Sequence, residues 1–304
     1  ADLRFSHRDY AFANAATVTI FRVTPANPYF VSPDGSIGQL IGYSFLNDLG
    51  TSRQKGASRS LGFTAGADYD LGAGWSLNSY LALAEERGEK RTFGVVNSAF
   101  LNEALGNTPD NLATAYSAAR DGFFNPFGAG RANGAEVLDF IGSGYSASLD
   151  RSRTQSLNLL LQGAPVALPG GNLDLAVGFQ LRRETFATRS RSLTGTATPL
   201  ERVSPSSDRS ISALFAEVRI PVIGEANARP GIRRLELSLA GRVEDYEDFG
   251  RTSNPKIGVV WSPLAGLNLR ASWGTSFRAP SLPQLNDAEQ SAPTFVTRAD
   301  GASV

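Results

Sequence analysis

The chain has 304 residues, 41% hydrophobic and 19% charged, with 29 basic and 29 acidic side chains. That balance excludes a disordered chain and gives no electrostatic footprint for nucleic acid, so no nucleic-acid partner is expected. With no cysteine and His7 as the only histidine, a disulfide framework, a thiolate metal site, cysteine catalysis and a His-based triad all fall away; neither metal nor cofactor is expected. No run approaches the roughly 18 apolar residues of a membrane helix.

Period-two alternation dominates and predicts about ten strands. The first lies within 2–10, and a shorter one follows at 17–23. At 61–71, Leu61, Phe63, Ala65, Ala67, Tyr69 and Leu71 alternate with Gly62, Thr64, Gly66, Asp68 and Asp70. Gly72-Ala73-Gly74 makes a tight turn, and Trp75, Leu77, Leu81 and Leu83 return on the same face. Further strands are read at 157–161, 173–181, 214–220, 235–243, 257–261 and 267–277. Clean alternation lasts about 9–11 residues, the length of a tilted strand crossing a hydrocarbon layer. It then breaks into charge, as at Arg182-Arg183-Glu184.

Connections alternate short and long: short near 12–16, 72–74, 163–171, 221–233 and 263–266, long at 24–56, 85–150, 184–208 and 245–254. This pattern predicts an all-β fold, an antiparallel up-and-down transmembrane β-barrel segment of about ten strands with short periplasmic turns and long extracellular loops. An Arg facing lipid at mid-membrane costs about 2–4 kcal/mol. The Leu/Val/Phe/Trp face is therefore assigned to outer-membrane lipid, and the face with Arg219, Arg242 and Arg270 to the lumen. Tyr69, Trp75 and Trp261, beside short turns, suit an interfacial girdle. A soluble two-sheet protein whose polar face meets water is the alternative.

The stretch NPKIGVVWSPLAGLNLRASWGTSFRAPSLPQL, from Asn254 to Leu285, strongly resembles the barrel of TonB-dependent outer-membrane receptors. The tail Phe277-Arg278-Ala279-Pro280-Ser281-Leu282, with Leu285, matches the family pattern without departure. Softer matches are GFTAGADYDLGAGWSL at 62–77, FFNPFGAG at 123–130, LPGGNLDLAVGFQLRRE at 168–184 and VEDYEDFG at 243–250. The resemblance implies a plug domain elsewhere in the full-length chain, contact with TonB through a missing N-terminal part, and a cell outer-membrane location in a Gram-negative bacterium. It implies about twice the strands counted here and a last strand ending in an aromatic residue. The chain carries no Met and no signal peptide and closes on Asp300-Gly301-Ala302-Ser303-Val304, so 1–304 is expected to be one partial barrel domain, the middle of the receptor. Pro280 and Pro283 remove ladder donors, so the last strand stops before them.

Within 85–150, NSAFLNEALG (97–106) and NLATAYSAARDG (111–122) have helix-forming composition. Phe123, Phe124 and Phe127 could stack on a ligand; equally, they pack the loop on itself. Arg183, Arg189 and Arg191 could attract an anionic small-molecule ligand, bind lipopolysaccharide phosphates, or solvate a loop. Glu244, Asp245, Glu247 and Asp248 read as a solvated strand end before a calcium site. No enzyme is found. The expected function is uptake of a scarce, bulky solute (siderophore, haem, cobalamin or oligosaccharide), with Arg219, Arg242 and Arg270 holding the plug. The rivals are a passive porin-like small barrel, an outer-membrane barrel enzyme and a soluble carbohydrate-binding β-protein.

Overall fold

The computed structural model describes residues 1–128 and 132–286; the loop expected at 300–304 lies outside them. In chain order the strands are β1 (Asp2–Ala13), β2 (Val18–Val23), β3 (Gln39–Ser44), β4 (Arg53–Gly72), β5 (Trp75–Val95), β6 (Gly144–Leu168), β7 (Gly171–Leu193), β8 (Leu200–Val203), β9 (Ser207–Ile223), β10 (Arg234–Tyr246), β11 (Gly250–Leu264) and β12 (Leu267–Gly274). The helices are α1 (Ser98–Ala104), α2 (Ala118–Asp121), α3 (Ala135–Ile141) and α4 (Leu282–Asn286). One antiparallel sheet runs β1-β4-β5-β6-β7-β9-β10-β11-β12, with the short β8 on β7 and with β1 and β12 as its edges. The up-and-down wall is therefore present. No described helix is long and apolar enough to cross a membrane.

Two expectations about this order need correction. The strand at 17–23 is not part of the wall: among the described residues β2 pairs with β3 alone, in a separate two-stranded sheet. The chain near 12–16 is accordingly not a short turn. It opens an excursion over 14–52, closed where the Asn14 amide donates to the Ser52 carbonyl at 2.9 Å. Alternation alone cannot tell a wall strand from a hairpin whose apolar side faces a small core of its own.

The wall strands are also longer than the apolar alternation, at 20, 21, 25 and 23 residues for β4 to β7. Ladder pairing does not require an apolar outer face, so the sheet continues where the side chains turn charged. The long connections shrink accordingly, to 96–143 rather than 85–150 and to 194–206 rather than 184–208. The connection expected at 245–254 is a turn over Glu247, Asp248 and Phe249. At the opposite end β4–β5, β6–β7 and β11–β12 are each joined by two residues, and β9–β10 by the ten of 224–233. Gly72, Ala73 and Gly74 all have positive φ (78°, 50° and 76°), a conformation two glycines supply without steric cost.

Register assigns the two faces. Odd-numbered residues of β4, β5, β6, β7, β10, β11 and β12 share one side with the even-numbered ones of β9. That side bears exposed Leu61, Leu159, Phe179, Leu214, Leu239, Ile257 and Trp273, an apolar surface far larger than single scattered residues. The opposite side holds the wall's buried polar groups, Asn158, Arg209, Glu244 and Ser262, and α4 folds back onto it against β7 and β9. We call these the outer and inner faces.

The apolar band runs obliquely to the register. Its last outer-face residue is Leu61 on β4, before Arg59, and Val243 on β10, before Asp245. The row through Val243 (Leu214, Phe179, Leu159, Ser79) meets β4 at Ala67, below Leu61. A drop of about 20 Å along the strands over about 24 Å across them means a tilt of about 40° if the band lies level. Transmembrane barrels tilt their strands by that amount.

Candidate functional site

The two largest connections fold into a cap at the long-loop end. Phe21, Val23, Phe45, Leu105, Phe124 and Ile141 are among the residues of its core. Tyr43 meets Phe45 and Phe124 edge-on at 4.9 and 5.4 Å, and Tyr116 stacks on Phe140 at 4.0 Å. Buried Asn27 donates to the carbonyls of Leu105 (3.2 Å) and Phe124 (3.0 Å), sewing 14–52 to 96–143. Asn97 caps α1 through its side-chain oxygen and donates to the Thr196 carbonyl at 2.9 Å, tying the cap to the β7–β8 connection. Each fully buried large apolar side chain contributes about 1.5–3 kcal/mol, so these connections carry a core of their own.

Phe124 is therefore cap core, with no exposed surface, and cannot stack on a ligand as it stands. Phe123 packs against that core, while Phe127 remains exposed. Helices form within both predicted segments, as α1 and the four-residue α2. The sequence reading missed α3, whose Val137 and Ile141 are buried while the rest of AEVLDFI is mixed.

Burial raises the Tyr43 and Tyr116 hydroxyls, helped by Asp48 beside the first and by Asp121 and Asp110 near the second. Asp34 falls to about 2, chiefly because the Ser36 amide donates to its carboxylate at 3.1 Å, with Gln39 and Ser32 donating as well. Asp121 falls to about 2 through Arg120 and the Ser117 amide. Both remain charged in the folded cap well below the ordinary 3.8. Their stabilisation is complete above that value and is lost as pH falls through about 2. The cap should hold its resistance to pepsin at pH 4 and lose it progressively towards pH 2; full sensitivity already at pH 4 would contradict these pairings.

The inner face carries a continuous polar chain. Gln180 donates to Asn158 (2.6 Å), Arg242 donates to Gln180 (2.8 Å) and to Glu244 (2.8 Å), and the Tyr246 hydroxyl donates to Glu244 (3.0 Å). Arg242 also lies 5.4 Å from the Phe215 ring centre. That ring lies over Gly178, where a Cβ would sit within 2.0 Å of it. Nearer the short turns, Arg219 pairs with Asp174 at 2.8 Å. Arg270 shares this face but makes no ion pair or hydrogen bond among the described residues.

Arg209, at the upper inner face, was not foreseen as a site residue because the alternation was read only from Leu214. Its guanidinium donates to Glu184 (2.6 Å), Asp248 (3.4 Å) and the Pro280 carbonyl (2.9 Å), and lies 5.5 Å from the Tyr246 ring centre. Phe277, expected on the apolar face, instead meets Tyr246 edge-on at 5.9 Å. The reason is that β12 ends at Gly274, and the chain then leaves the ladder to cross the inner face. Arg278 is exposed and Ala279 half-buried. The Ser281 amide and hydroxyl donate to Gln284 at 2.8 and 3.0 Å, starting α4, and Leu282 is buried. The tail does more than end a strand: it is latched across β7, β9 and the β10–β11 turn.

Arg183, Arg189 and Arg191 are not on a loop. All three stand on β7 and face outward, Arg183 paired with Asp208 (2.8 Å) and Arg191 with Glu201 on β8 (3.5 Å). They stand on the face opposite Arg219 and Arg242. The carboxylates of Glu244, Asp245, Glu247 and Asp248 diverge: Asp245 faces outward, Glu247 accepts from the Ser210 amide, and Asp248 turns to Arg209.

A family model described as "TonB dependent receptor-like, beta-barrel" matches residues 2–302. No curated protein matches the chain.

Proposed function

Because this chain belongs to the family of TonB-dependent receptor β-barrels, we propose that it supplies wall and outer loops to a receptor taking up a scarce, bulky solute across the Gram-negative outer membrane. Siderophore, haem, cobalamin and oligosaccharide all fit. The observation that carries this reading is the division of the wall: an exposed apolar belt outside, and a hydrogen-bonded Arg–amide–carboxylate chain inside. A polar inner face suits a lumen filled by a plug domain of the same full-length protein. Arg219, Arg242 and Arg270 would face that plug, and Arg270, unpaired among the described residues, is the one most open to it. TonB would act on the plug to release solute inward. The edges of β1 and β12, unpaired among the described residues, would be completed by further strands of the full-length chain, since a barrel leaves no edge open.

The test is accumulation of labelled solutes of these four classes by cells with and without the full-length gene. Uptake of one class, lost with the gene and lost again on collapse of the proton gradient or removal of TonB, is expected. Conductance of small ions through the purified full-length protein in planar bilayers, with no energy-dependent accumulation, would overturn the reading in favour of a passive channel.

A further inference from the structure

We propose that the outer face holds a binding site for a phosphate group of the outer-leaflet glycolipid, centred on Arg59, Arg87 and Arg151. The register sets these three directly opposite one another on β4, β5 and β6, in a single row that His7 of β1 extends. Like charges directly opposite across a ladder are destabilising unless something neutralises them. The chain's own carboxylates do so incompletely. Glu85 alone serves Arg87 (2.6 Å), Arg151 (2.9 Å) and Arg153 (2.7 Å). Arg59 has no carboxylate partner among the described residues; its Nε donates to His7 Nδ1 at 3.3 Å. Glu89 stands in the next outward-facing row and also borders the site; Asp9 in that row is bonded to His7 (2.9 Å), so across β4, β5 and β6 four guanidiniums face two carboxylates.

The row encloses a cleft of about 250 Å³ lined by Arg59, Arg87 and Arg151 with Glu89 and Asp150, the Asp150 carboxylate accepting from Thr188, and with Ala57 and Leu149 as small and apolar neighbours. Its height fixes the occupant. Arg59 stands two residues above Leu61, Arg87 four above Leu83, and Arg151 six above Leu157, each leucine being the last of the apolar band on its strand. At a tilt of about 40° these are heights of about 5–15 Å above the hydrocarbon edge. That is the headgroup layer on the long-loop side. A phosphate there, bonded to an acyl-anchored sugar, would meet planar guanidiniums suited to bidentate contact. The phosphorylated glycolipid supplies that anion together with chains that lie along the leucines below.

The inference rests on the outer face meeting lipid. Its test uses the full-length receptor, wild type and R59Q/R87Q/R151Q, inserted in zwitterionic nanodiscs. The thermal midpoint is followed on addition of bis-phosphorylated lipid A, its dephosphorylated form, or inorganic phosphate. Normal insertion of the triple variant shows that the barrel itself is intact. The wild-type midpoint should rise with phosphorylated lipid A alone, and the triple variant should bind it at least about tenfold more weakly. R59K/R87K/R151K, which keeps the charge without the planar fork, should recover part of that binding. An equal response to the dephosphorylated lipid would assign binding to acyl chains and overturn the site. Equal protection by inorganic phosphate would reduce it to a free-anion site, and unchanged binding by the triple variant would place it elsewhere.

Discussion

Leu239→Arg in the full-length receptor should lower the unfolding free energy by about 2–4 kcal/mol, whereas Ala240→Arg, one residue along, should change it by less than about 1 kcal/mol. Leu239 lies mid-band on the outer face of β10, between Val218 and Ile257, and is exposed. In lipid that exposure is burial, and a guanidinium there has neither water nor partner. Ala240 lies on the inner face between Glu217 and Lys256, where a long polar side chain finds a carboxylate. The check is denaturant unfolding of both variants in vesicles. Equal costs would mean that both faces meet the same solvent, as in a soluble sheet.

Arg209→Ala should cost about 3 kcal/mol and free the segment beyond β12. The side chain is only 4% exposed, and its partners Glu184 and Asp248 are 23% and 30% exposed. Removing one member of such a set leaves the other charges with incomplete compensation, which costs about 3–5 kcal/mol. The lower end is expected because Arg209 Nε has no partner even now. If the lost energy falls on the latch, tryptic cleavage after Arg278 should quicken about 100-fold, at about 1.4 kcal/mol per tenfold. Arg209→Lys should recover part of the protection. An unchanged cleavage rate in Arg209→Ala would show that Phe277 and Leu282 hold the segment unaided.

The sheet was legible because its outer face is apolar wherever it meets the belt. Leu235, Leu237 and Leu239 could be placed against Glu236 and Ser238 from spacing alone. The same rule stopped short above the belt, where Arg151 and Arg153 face outward like Leu157 below them. Hydrogen bonding carries the strand there, and no apolar period marks it. The cap was legible only as helix-forming stretches, since Phe21, Phe45 and Phe124 meet through contacts distant in sequence. Among the site residues, parity placed Arg219, Arg242 and Arg270 on one face. It misplaced Phe277, because a ladder's period ceases to bind a chain that has left the ladder.

The most direct measurement of the central claim, that odd residues of β10 face lipid and even ones an aqueous interior, is a cysteine scan of 235–243 in the full-length receptor. This chain has no cysteine of its own to interfere. Each variant carries a fluorophore in vesicles containing brominated lipid. Strong quenching at 235, 237, 239, 241 and 243, alternating with weak quenching at 236, 238, 240 and 242, is the predicted result. Uniform quenching, or alternation of the opposite sense, would contradict it.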